Sequence, residues 1–235
     1  MDTSSPAPKV SSAKTLAQLR SQVLEQARRE PAPTRAGLAA KQRTVAIVAL
    51  VVPLLIFGAL GGVRLGPRPS ELALMTALGS ALLAGAAAIF GFARGGSMLG
   101  RPRAWLLGVA LLTPCLLFTW RTLVSSRYPD MMAQWSERPG LRCLLLSGAL
   151  SLAPLAGALW LRRGTDPVHP HLSAAGIGAT VGAGSWVLVD LWCPVGYVPH
   201  VLLGHVAPLV LVVLISALFG GRVLAQRRAA LARVR

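Results

Sequence analysis

The stretch from Leu72 to Phe92 reads LALMTALGSALLAGAAAIFGF and contains no charged residue. About 20 predominantly apolar residues in a helix cross a hydrocarbon core roughly 30 Å thick, so this stretch is long enough to span a bilayer. Five more of the same kind flank it: Thr44–Gly62, Ala104–Val124, Cys143–Leu161, Leu172–Trp192 and Val201–Phe219. The expected fold is all-α, a polytopic transmembrane helical bundle with six spans. Residues 1–43 form a tail, 44–219 the six-helix domain and 220–235 a second, basic tail.

Composition points the same way. Apolar residues make up 54% of the chain and charged ones only 14%, against about 25% charged in soluble domains. The net charge of +16 would suit a nucleic-acid binder if it formed a patch. Instead the basic residues lie in tails and loops, where they act as a topology signal, and no direct nucleic-acid binding is expected.

Lysine and arginine alternate along the chain. The two tails and the even loops together hold eighteen, eight of them before Thr44; the odd loops hold six, with Arg121 counted beside Arg127, Arg138 and Arg142 in the third. Basic loops stay in the cytoplasm. Both termini are therefore expected there, with the odd loops outside, and an even number of crossings fits. A polar tail precedes the first span and lacks the pattern of a cleavable signal peptide.

Within that tail, Thr15 and Gln18 form a capping-box pattern, and Leu16, Leu19, Val23 and Ala27 follow at three- and four-residue steps. This predicts a short amphipathic helix over 15–29, closed by Pro31 and Pro33. Some four turns are marginal alone in water. The stripe of Leu16, Leu19 and Val23 therefore wants a surface, either membrane lipid or a protein partner. The basic run 34–43 reads as a juxtamembrane stop.

Inside the spans, Gly176, Thr180 and Gly184 lie four apart, as do Gly178 and Gly182; small residues at this spacing admit close helix packing. Pro53, Pro114, Pro154 and Pro208 are expected to kink their helices, and Cys115 reads as a small apolar filler. Asp190 closes the fifth span, where it either reaches water or pairs with His200 or His205. His169 and His171 belong to a solvated loop.

The topology gathers chemistry on one face. Cys143 opens the fourth span, Cys193 follows the fifth, and His200 and His205 open the sixth, all on the outer side. Thiolates and imidazoles ligate zinc and other soft or borderline metals, and two thiols outside the cytoplasm can also form a disulfide. Cys143, Cys193 and His200 are the best metal candidates. His200 and His205 are five apart, about 140° on an ideal helix and so not on one face, but Pro199 can let His200 sit before the helix begins, which relaxes that objection. His205 and Asp190 stay among the sensor or metal candidates, with orientation of Asp190 as the alternative role for the deeper His205. No cofactor is required by the sequence, and no Cys-x-x-Cys, phosphate-binding glycine loop or paired-carboxylate motif indicates an enzyme.

The carboxyl half carries a resemblance. The run Gly176–Gly184, Asp190-Leu-Trp-Cys193-Pro, His200-Val-Leu-Leu-Gly-His205 and Leu218-Phe-Gly-Gly-Arg222-Val-Leu224 resembles the six-helix membrane anti-sigma factors of the NrsF type; CarR-like regulators share the six-span plan. The resemblance implies a bacterial inner-membrane protein that sequesters an extracytoplasmic-function sigma factor and releases it under stress. It also implies that the outer cysteines are Cys143 and Cys193. The alternative is a small transporter for a metal or other soft solute, but these spans offer almost no polar path.

Overall fold

The structure is a computed structural model that describes residues 35–64, 69–92, 102–128, 140–163 and 168–225, together with 18, 20–22 and 25. Among these residues all regular structure is helical. Six helices are long and apolar enough to cross a membrane, and they mark a multi-pass membrane protein. They are α1 (Arg35–Ala59), α2 (Ser70–Phe92), α3 (Arg103–Ser125), α4 (Leu141–Leu161), α5 (Pro170–Trp192) and α6 (Val198–Ala225).

The chain divides into two units, Met1–Gln42 and Arg43–Arg235. In the first, Gln18, Arg20–Gln22 and Glu25 are helical and exposed, and Ser21 Oγ donates to the Gln18 carbonyl at 2.8 Å. Leu16, Leu19 and Val23 lie outside the described residues, as does the end of the chain, 226–235. The run read as a juxtamembrane stop is helical from Arg35 and continues into the first span. Ala, Leu, Lys, Gln and Arg are strong helix formers, and they outnumber the single weak one, Gly37, in 35–43.

In the second unit, α5 is the central helix. Of the six spans it is the most deeply buried, and it packs against α2, α3, α4 and α6. Its small residues make this possible. A Cβ on Gly178 would lie 2.9 Å from the Val212 carbonyl, and one on Gly182 would lie 3.0 Å from Leu209. Thr180 donates to the Ala87 carbonyl on α2 at 3.0 Å, and Ser185 meets Ser151 of α4 at 2.6 Å. Gly184, the last member of the expected stripe, faces open space. Close approach of backbones and interhelical hydrogen bonds are what hold membrane helices together. The apolar side chains on the outer faces, such as Leu82, Leu145 and Leu152, remain for lipid. Cys115 joins them: it is exposed and does not fill the core.

Helix α6 departs from α geometry twice, at π turns over Leu202–Val206 and Ser216–Gly220. The first has a visible cause. Pro208 has no N–H to give the Gly204 carbonyl, and the Ala207 N–H reaches back five residues to the Leu202 carbonyl. The expected proline kink is thus expressed here as one wider turn.

A buried thiol and imidazole cluster

At one end of the bundle, residues 60–64 lie against the end of α5, and the segment 193–197 lies against Ser125 of α3. The Arg64 N–H donates to the Leu191 carbonyl at 3.1 Å, its guanidinium lies 4.3 Å from the Trp192 ring centre, and Trp192 Nε1 donates to the Leu60 carbonyl at 3.1 Å. This is the end at which α1, α3 and α5 finish and α4 and α6 begin.

Here Cys143, Cys193, His200 and His205 converge. One ligand atom from each lies within 4.8 Å of all the others, and no residue of the four is more than 3% exposed. The His200 Nε2 atom is 3.1 Å from Cys193 Sγ and 3.5 Å from Cys143 Sγ. Neither cysteine is in a disulfide. Around them pack Leu146, Leu150, Val189 and Val195, with Phe57 and Tyr197 at the margin, so water is displaced from the group. In the extended segment after α5, the Cys193 thiol is held well below its ordinary pKa. A hydrogen bond with Cys143 is the main cause; burial opposes it, and the neighbouring imidazoles of His200 and His205 add to it. A lowered pKa favours the thiolate, the form that reacts with oxidants and binds metals.

Each member is placed by a local feature of the sequence. Gly140 sits before α4 with φ of +88°, a backbone conformation natural to glycine. A Cβ there would approach the His200 carbonyl at 3.0 Å and the Gly204 nitrogen at 3.1 Å. Gly204 is equally constrained, since its Cβ would lie 2.9 Å from Cys143 Cβ. The two glycines let the first turn of α4 rest directly on the π turn of α6, and so bring Cys143 to the histidines.

The π turn also corrects the expected separation of His200 and His205. A π helix closes between residues five apart, so the two imidazoles follow one another on one face, with ring centres 5.9 Å apart. No hydrogen bond joins His205 to Asp190. Among the described residues neither of its ring nitrogens has a hydrogen-bond partner, although the residue is 1% exposed. Its ring meets Trp186 edge-on at 5.2 Å.

Asp190 does not reach water. It is fully buried, and Arg121 Nε approaches its Oδ1 at 2.8 Å. The same guanidinium donates to Ser125 Oγ at 2.9 Å and to the Val195 carbonyl at 3.1 Å. The Nε–Oδ1 approach is an ion pair by distance, without the alignment of a full hydrogen bond. Arg121 therefore belongs to α3 and the core, not to an outward loop, and it fixes the segment that carries Cys193. A Cβ on Gly196 would meet Ser125 at 2.9 Å, which keeps that segment close to α3. A lone arginine near the end of an apolar run demands a partner, a signal that the loop count passed over.

His171 is not in a loop. It lies in the first turn of α5 at the other end of the bundle, where Nδ1 donates to the Ala217 carbonyl at 2.8 Å. His169 precedes that helix as its cap residue. Neither belongs to the cluster.

Fold and cluster together define a class: a six-helix polytopic membrane protein with two thiols and two imidazoles buried at one end of the bundle. Comparison with family models makes the assignment. Residues 21–225 match the model described as NrsF, negative regulator of sigma F, and the chain belongs to that family. No curated protein and no solved structure matches the chain.

Proposed function

We propose that this protein is an anti-sigma factor of the bacterial inner membrane, with both termini in the cytoplasm and the cluster at the outer face. The partner is a sigma factor of the extracytoplasmic-function type, held inactive until a thiol oxidant or a soft metal acts on Cys143 and Cys193. The observation that carries the reading is the family match over most of the chain. The orientation rests on the alternation of arginine between loops. It holds with Arg121 removed from the outer count, because that change only sharpens the bias.

The amino-terminal tail is the proposed docking segment, through Leu16, Leu19 and Val23. An apolar stripe on a marginal helix orders when it meets a complementary groove, while the surrounding charge sets encounter rate. Helices α5 and α6 supply the route from the outer site to the inner side. Cys193 follows one and His205 lies in the other, and the two meet again at the opposite end through Ser216, which donates to the Ala174 carbonyl.

Deleting the gene should turn on the promoters of one alternative sigma factor and move that sigma factor from membrane to cytosol; a plasmid copy should reverse both. A chain lacking residues 1–33 should still insert but fail to repress. Reporter fusions should place Arg43, Gly96, Gly164 and Arg235 inside, and Pro67, Asp130 and Gly196 outside. If no sigma factor changes its membrane fraction on deletion, the reading is wrong.

A further inference from the structure

We infer that Cys143, Cys193, His200 and His205 together hold one four-coordinate metal ion of the zinc class in the resting protein. The inference deepens the reading of this cluster as the input site, but ion binding is measured without any sigma factor.

The donor set comes first. Two sulfurs and two imidazole nitrogens are a ligand set of structural zinc sites. Zn–S and Zn–N bonds of about 2.3 and 2.0 Å in a tetrahedron require ligand-to-ligand edges of roughly 3.3–3.8 Å. The two sulfur-to-His200 separations are 3.1 and 3.5 Å, and all four donors lie within 4.8 Å of one another. The widest permitted separation exceeds a tetrahedral edge by about 1 Å, a gap within reach of side-chain adjustment.

The second observation is His205. An imidazole that is 1% exposed and has no hydrogen bond among the described residues costs free energy unless something satisfies it. It occupies the π turn that aligns it with His200, and π turns in α-helices frequently mark functional sites. A divalent ion at the centre would satisfy His205 and take up both thiolates.

Charge fits as well. Two thiolates and one divalent cation sum to zero, so the loaded cluster is neutral in its apolar surroundings. Loading releases whatever thiol protons remain on the two cysteines to solvent. With four protein ligands the site is closed and structural, with no open position for substrate. The ion would tie the start of α4, the segment after α5 and the first turns of α6 into one unit. The Arg121–Asp190 pair is the outer support, since Arg121 fixes Val195 two residues from Cys193.

The test uses the full chain, purified in detergent without chelator and assayed by elemental analysis and by cobalt(II) substitution. One zinc per chain is expected. Cobalt(II) should give intense visible d–d absorption, as tetrahedral cobalt does, and a near-ultraviolet thiolate-to-cobalt charge-transfer band. Cys143→Ser, Cys193→Ser, His200→Ala and His205→Ala should each weaken cobalt binding by more than about 100-fold, beyond the 10–100-fold typical of outer-sphere changes. Cys115→Ser and His171→Ala should bind like the wild type.

His205→Cys guards against variants that merely misfold. It keeps a ligand in place and should raise the charge-transfer intensity, as a third thiolate joins the metal. A helical wild-type chain that shows neither stoichiometric metal nor tetrahedral cobalt bands overturns the inference. An unchanged charge-transfer band in a cobalt-loaded His205→Cys chain overturns it too. Tetrahedral cobalt in a chain whose cluster variants still respond normally to stress supports the ion and counts against the input reading alone.

Discussion

At one end of α6 a π turn sets His205 beside two thiols and a second imidazole, with neither ring nitrogen hydrogen-bonded. At the other end a second π turn includes Ala217, whose carbonyl accepts the Nδ1 hydrogen of His171. Both ends combine a wide turn with a histidine from the same pair of helices. The difference is how each histidine is satisfied. His171 already has a partner, is exposed to solvent and works as a clasp between α5 and α6. His205 is buried and is matched only by soft ligands converging on the same point. A π turn with a histidine is thus no site in itself; convergence without satisfaction is what marks one.

The largest test of this contrast lies in the support of the cluster end. Asp190→Asn leaves the Arg121 charge buried without its partner, and breaking such a pair costs about 3–5 kcal/mol. Chemical unfolding in detergent should show that loss. The paired change Arg121→Met with Asp190→Leu should recover most of the stability, because it removes both charges from the interior. If Asp190→Asn alone is neutral, the pair is solvated in the membrane and does not hold the Cys193 segment.

Glycine substitutions separate the ends next. A Cβ on Gly204 meets Cys143 Cβ, a backbone-anchored atom, at 2.9 Å, so α4 must back away. The cost expected of such overpacking is about 1–3 kcal/mol. Gly204→Ala should also change the reactivity of Cys143 toward a small maleimide. A Cβ on Gly221 would instead collide with the His171 ring, which is exposed and free to swing out. Gly221→Ala should cost only the clasp hydrogen bond, about 0.5–1.5 kcal/mol, and leave thiol reactivity alone. Equal effects of the two on the thiols would erase the distinction. The smallest effect belongs to His171→Ala, which should lower stability by about 1 kcal/mol or less and leave the stress response at wild-type level.

The sequence made the spans legible because twenty apolar residues have few alternative readings. It made the gathering of Cys143, Cys193 and His200 legible because loop alternation alone puts Cys143, Cys193 and the start of α6 on one side. His205 was ranked behind His200 as a ligand, partly because the angle between residues five apart was taken from α geometry. Pro208 held the missing information, since a proline there removes the α-helical donor to Gly204. Arg121 was misread for a different reason: counting it as loop charge hid the fact that it falls within an apolar run and must find an acid. Gly140 and Gly204 gave no signal at all, because close approach of two distant turns has no local signature. The docking stripe, Leu16, Leu19 and Val23, rests on helical periodicity and on the family.

The central claim is that the cluster end receives the signal, and the most direct measurement is induction of a sigma-dependent reporter by a thiol oxidant or soft metal in cysteine variants. Cys143→Ser and Cys193→Ser should each abolish induction while still repressing, the double variant should add little, and Cys115→Ser should be induced like the wild type. Wild-type induction in both Cys143→Ser and Cys193→Ser would contradict the account, whatever the geometry of the four residues.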